Sequence, residues 1–137
     1  MADQVSRIHY YSAPVPDKAG EAARILSALE GAGINLTAFS GFPEGRKAQL
    51  DFVAADDKAL VKAAKSAGLI LGKKKTAFLI QGDDRPGAVA EVARRLAAAG
   101  INIVSLQALC AGQGRYGGIL WVKPDQVGKA ARVLGAA

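Results

Sequence analysis

Three pairs of residues recur at one offset in this chain of 137 residues. Asp17, Gly20 and Asn35 each stand 67 positions before Asp84, Gly87 and Asn102. Each triplet combines a carboxylate, a residue without a Cβ and a side-chain amide. Carboxylate and amide oxygens accept hydrogen bonds, as an ammonium group requires. A glycine where a helix begins lets a ligand approach the backbone. The first turn of a helix adds unpaired N–H groups and a partial positive charge, a seat for an anion. The chemistry on offer is recognition of a small molecule rather than bond-making. Each residue also has a plainer role to weigh. Asp17 and Asp84 suit helix N-caps, worth about 1 kcal/mol each. Gly20 and Gly87 permit a tight strand-to-helix turn, Asn35 and Asn102 satisfy local backbone after a helix stop, and Lys18 and Arg85 are surface charges.

Catalytic groups are not expected. His9 is the only histidine and lies in an apolar, strand-like segment beside Tyr10 and Tyr11. No Cys/His spacing suits a metal, and no nucleophile has an evident base. Asp56-Asp57 and Asp83-Asp84 are adjacent pairs whose side chains should point apart. The sequence is read as a non-enzyme, with no cofactor and no metal.

The elements that must position the triplets repeat with them. Across residues 17–36, eight positions are identical to their partners at 84–103, without a gap. Apolar residues at Ala22, Ile25, Leu26 and Leu29, and at Val89, Val92, Ala93 and Leu96, form the stripe of a helix. Each helix is expected to start at its Asp and to end at Gly33 or Gly100 in a left-handed stop; Pro86 suits an early helical position. Strands are expected at about 5–11, 34–42, 47–54, 76–82, 101–110 and 116–123, with a closing strand at about 69–73. In 47–54 the alternation of Leu50 and Phe52 with Gln49 and Asp51 predicts one wet face. Asp57 and Asp125 open second helices. The plan is β-α-β-β-α twice, an α+β, ferredoxin-like (βαββαβ) pair with units at 1–73 and 74–137. The second unit runs out of chain without a clear fourth strand, so a second chain is expected to cover that edge, making a dimer.

Gross properties set the class. Half of the residues are hydrophobic and 22% charged, as in a folded protein. Units of this size bury only about 60% of their unfolded surface, so two should share an interface. Neither a signal peptide nor a membrane span is visible, and lone Cys110 reads as a small buried hydrophobe. A cytoplasmic protein without membrane partners is expected. The net charge of +6 is assigned to solvated helix faces such as Lys58, Lys62, Arg94 and Arg95, and Lys73-Lys74-Lys75 to a connection.

Val15-Pro16-Asp17-Lys18-Ala19-Gly20, a helix, then Gly31-Ala32-Gly33-Ile34-Asn35-Leu36 resembles the ACT domains of aspartate kinases. Asp84-Arg85-Pro86-Gly87 through Gly100-Ile101-Asn102-Ile103 resembles ACT domains generally. The resemblance covers nearly the whole chain and implies a stand-alone tandem ACT protein, regulatory and allosteric, without a kinase or dehydrogenase domain. It implies two units side by side with sheets adjoining and an amino acid bound where they meet. The implied ligand residues are Asp17, Lys18, Gly20 and Asn35 with Asp84, Arg85, Gly87, Ala88 and Asn102, the asparagines contacting ligand across the interface. The second loop departs from the family pattern: Asp84 stands where Asn is common, and Gly82 where a further polar residue is common. In the first loop, Ala19 replaces the usual Pro and Val15 supplies no polar group.

Two other functions fit the same fold. One is an ACT-type regulatory subunit acting in trans on a partner enzyme, which sequence cannot separate from a free-standing sensor. The other is RNA binding, because the RRM shares the ferredoxin-like plan. The stretch 115–122 places Gly117 and Ile119 where that module needs stacking aromatics, so no nucleic-acid partner is expected.

Overall fold

The computed structural model describes residues 3–136. Six strands and four helices follow in the order β1 (Gln4–Pro16), α1 (Glu21–Gly31), β2 (Leu36–Glu44), β3 (Lys47–Ala54), α2 (Asp57–Ser66), β4 (Lys75–Asp83), α3 (Ala88–Ala98), β5 (Ile103–Cys110), β6 (Arg115–Val122) and α4 (Val127–Leu134). The duplication is kept in the backbone: α1 and α3 are both 11 residues long and begin 67 positions apart. By contacts the chain divides into His9–Lys75 and a second unit made of the residues up to Ile8 with those from Thr76 onward. The expected limits, 1–73 and 74–137, follow the repeat in sequence; the division by contacts passes through β1.

In the first unit the strand order is β2-β3-β1, with β3 antiparallel to both neighbours and Tyr11 opposite Phe52. Ile25 and Leu29 of α1 and Leu60 and Ala64 of α2 pack on Tyr11, Ala13, Val15, Leu50 and Phe52. The apolar periodicities thus place both helices on one face of the sheet. Asp56 caps α2, its carboxylate accepting from Ala59 N at 3.0 Å. The expected strand at 69–73 is not formed: residues 67–74 are irregular, and Gly72 N donates one hydrogen bond to Ser12 O at 2.8 Å. Gly68, Gly72 and the lysine run have low strand propensity, and Ile70 is largely exposed. The expected wet face of β3 is also corrected. Asp51 is buried, because its Oδ1 accepts from Ser12 Oγ at 2.7 Å and Gln49 Nε2 at 3.0 Å.

In the second unit the strand order is β1-β4-β6-β5, antiparallel where β4 meets β6 and β6 meets β5. Ala88, Val92 and Leu96 of α3 and Ala130, Ala131 and Leu134 of α4 pack on Phe78, Ile80, Tyr116, Leu120 and Val122. Val5 joins this core. No strand follows α4 among the described residues; the first residues of β1 lie beside β4 instead. The β4 edge is closed by the chain's own N-terminal strand, so the expectation that a second chain covers it does not hold. Both units have helices over one face of an antiparallel sheet, the α+β ferredoxin-like plan in tandem. Among the described residues no helix is long and apolar enough to cross a membrane.

Candidate functional site

The strand-to-helix loops end in glycine. Gly20 is the N-cap of α1 at φ 91°, and Gly87 that of α3 at φ 84°. This left-handed region is costly for any residue with a Cβ. The expectation that Asp17 and Asp84 cap these helices is therefore corrected. After β1 ends at Pro16 the loop turns first, with Lys18 N donating to Pro16 O at 3.1 Å, and the cap position falls three residues later. No side-chain hydrogen bond caps either helix. The N–H groups of both first turns are left without the partner a Ser, Thr or Asp cap would provide.

Beside each helix start lies a cleft. The first, about 390 Å³, is lined by Asp17, Lys18 and Glu21 among Val15, Phe39, Phe42 and Leu50. Phe39 packs on Phe52 with ring centroids 5.4 Å apart. The Arg24 guanidinium, 3.1 Å from Glu21, holds that carboxyl below its usual range. The second cleft, about 290 Å³, is lined by Asp84, Arg85, Gly87 and Ala88 together with Leu109, Cys110 and Tyr116. The structure thus brings Asp17 with Lys18, and Asp84, Arg85, Gly87 and Ala88 with one another.

It does not bring the asparagines to those clefts. Asn35 and Asn102 are exposed and precede β2 and β5, beyond the far ends of α1 and α3. Those ends close as expected. Gly33 N donates to Glu30 O and Ile34 N to Leu29 O, both at 2.9 Å, and Gly100 and Ile101 repeat the pattern, the double bond of a Schellman stop. A helix of 11 residues is about 16 Å long at 1.5 Å per residue, so within one unit cap glycine and asparagine cannot share a small ligand.

Several residues at the second cleft are not among those the sequence marks as site residues. Cys110, expected to be buried, is exposed, because β5 is an edge strand. The Asp84 carboxylate beside it pushes the thiol pKa up. Tyr116 Oη donates to Asp3 Oδ2 at 2.7 Å, and Arg85 Nη1 donates to Asp3 Oδ1 at 3.1 Å. Arg85 also reaches Glu91 at 2.8 Å, and Arg115 pairs with Asp83 at 2.8 Å. Burial, then the Asp3 hydrogen bond and charge, push the Tyr116 phenol up to about 12. Burial raises the Asp3 carboxyl, but the bonds from Tyr116 and Arg85, with the charges of Arg85 and Arg115, outweigh it and hold Asp3 below its usual value. The sequence signal for this group is Gly82: a Cβ on it would collide with the Asp3 carboxylate and come within 2.9 Å of the Tyr116 ring.

Among the described residues no cluster of three or more His, Cys, Asp or Glu side chains could hold a metal. His9 lies 3.5 Å from Asp57, whereas Asp56 serves its helix cap. The adjacent acidic pairs do point apart: Asp83 turns to Arg115 and Asp84 to Cys110.

The model of the ACT domain family matches residues 76–136. No curated protein matches the chain in sequence. Solved structures share its fold. A protein of Bacteroides thetaiotaomicron is 21% identical with a TM-score of 0.78, over 97% of this chain and 88% of that one. The ligand-free regulatory subunit of aspartate kinase from Thermus thermophilus is 18% identical with a TM-score of 0.64, over 98% of this chain and 95% of its own. The corresponding subunit from Thermus flavus is 22% identical with a TM-score of 0.58, over the same shares.

Proposed function

We propose, because residues 76–136 match the ACT domain model and the chain builds the same plan twice, that it is a non-catalytic regulatory protein that binds a small effector, an amino acid, at its strand-to-helix loops. The observation that carries this reading is the second cleft. There an α3 start without a side-chain cap, at left-handed Gly87, opens beside Arg85 and the Tyr116 hydroxyl. N–H groups and a guanidinium suit the carboxylate of an amino acid, and Asp84 suits its ammonium. Ala88, Leu109 and Cys110 leave a mainly apolar wall for a side chain. The first cleft, with Asp17, Lys18, Glu21 and Phe39, has a different charge pattern, and the reading assigns it different selectivity. Asn35 and Asn102 would reach such a ligand only from a facing unit, so a homodimer is part of the proposal.

The test is a thermal-shift screen of the twenty amino acids. A ligand at 100 times its dissociation constant adds about 2.7 kcal/mol. A second reading, a subunit acting in trans on a metabolic enzyme, is supported by likeness to regulatory subunits. The chain spans 95% of regulatory subunits that serve aspartate kinases. Co-purification of one enzyme with the tagged chain would support it.

A further inference from the structure

Two polar residues that line the second cleft already hold a carboxylate of the chain itself. The Asp3 side chain is only 6% exposed, and its two oxygens are taken by Tyr116 and Arg85, which also line the cleft. Arg85 is further committed to Glu91 and to the Asp83 carbonyl. A guanidinium already facing two carboxylates offers an incoming anion little net attraction. Room for Asp3 exists because position 82 is glycine. Its counterpart 67 positions earlier is Val15, which is buried in its own core, so the first loop has no such cradle. Asp3 precedes β1 and belongs to no regular element; freeing it breaks two polar bonds that tie down the start of β1 next to Val5.

We propose that Asp3 is a resident, displaceable occupant of the anion seat formed by Arg85 and Tyr116 at the wall of the second cleft. A small carboxylate ligand binds by taking its place on Arg85 and Tyr116, and the start of β1 is released as it does so. The proposal deepens the effector reading and rests on the second cleft being the effector's seat. An intramolecular carboxylate acts at high effective concentration, so the wild-type chain binds simple carboxylates weakly and selects ligands that add contacts at the α3 start.

Acetate, with chloride at matched ionic strength as control, is the probe. It is titrated into the full chain while the Tyr116 ring resonances and the exchange of the Val5–Ile8 amides are followed by NMR. Asp3→Ala is expected to bind acetate about tenfold or more tightly than wild type, and Arg85→Ala to lose binding. In wild type, saturating acetate is expected to speed exchange at Val5–Ile8. A folded Asp3→Ala that binds acetate no more tightly overturns the proposal, as does unchanged protection of those amides at saturation. If Asp3→Ala does not fold, the wild-type exchange measurement decides. An amino acid that stabilises the chain while those amides stay protected overturns displacement and leaves the effector reading intact. Acetate-driven release without any amino-acid ligand supports displacement and removes the amino-acid reading.

Discussion

Tyr116 Oη donates a 2.7 Å hydrogen bond to Oδ2 of Asp3, a residue 113 positions earlier in the chain. This contact ties the first described residue to the wall of the second cleft. Together with burial, which is the larger cause for the phenol, it shifts the ionisation of both groups. The phenol is stabilised in its protonated form, with a pKa of about 12 against about 10 for free tyrosine. That contribution to stability is full below about pH 10 and is lost as pH rises through the folded value. Absorbance at 295 nm against pH should show a tyrosine titrating near 12, moving back toward about 10 in Asp3→Asn. The Asp3 carboxyl has the opposite sign. Its contribution is present above about pH 4 and is lost as pH falls through its lowered value, so Asp3→Asn should weaken the pH dependence of acid unfolding.

Gly82 should be intolerant of even a methyl group. Gly82→Ala forces the Asp3 carboxylate and the Tyr116 ring aside, and overpacking of this kind costs about 1–3 kcal/mol. Urea unfolding should show that loss. Adding Asp3→Ala should recover part of it, because one of the two obstructions is gone.

The cap glycines carry a backbone demand that is separate from space. At both Gly20 and Gly87 a Cβ would meet nothing within 4 Å, yet φ is +91° and +84°. Replacement by alanine should therefore cost about 1–2 kcal/mol through left-handed strain alone. Chemical denaturation of Gly20→Ala and Gly87→Ala would check this. On the proposed function, Gly87→Ala should also weaken effector binding.

Much of this arrangement is legible in the sequence because local rules decide it. The stripes Ile25–Leu29 and Val92–Leu96, with the stops at Gly33 and Gly100, need only helical periodicity and glycine's left-handed freedom. Alternation places β3 at 47–54, the span it occupies. Misreadings arise where a local rule has a competitor. Asp17 and Asp84 match an N-cap preference, but the loop turns before the helix and Gly20 and Gly87 take the cap. Cys110 sits between apolar neighbours, yet edge strand β5 leaves it exposed. Asp51 alternates like a solvent-facing residue but is buried, bonded to half-buried Ser12 and Gln49. Asp3 carries no signal of its own, since its partners Arg85 and Tyr116 are 82 and 113 positions away. Only Gly82 marks the place.

The Ser12–Asp51–Gln49 group, in which Asp51 is buried and its two partners half-buried, gives a prediction confined to the first unit. Asp51→Ala removes the acceptor of Ser12 and leaves Gln49 Nε2 only its longer bond to Ser12 Oγ, 3.4 Å, in a half-buried setting. The expected loss is about 1–3 kcal/mol, measured as a lower urea midpoint with the slope unchanged. Asp51→Asn keeps an acceptor oxygen and should cost less.

The central claim is that the second cleft seats an amino-acid effector on the α3 start and Arg85. Its most direct test is the thermal-shift screen of the twenty amino acids, run in parallel on wild type and Arg85→Ala. At least one amino acid should raise the wild-type Tm in a concentration-dependent way, and that rise should vanish in a folded Arg85→Ala. No shift with any of the twenty, or an equal shift in both proteins, would contradict the account.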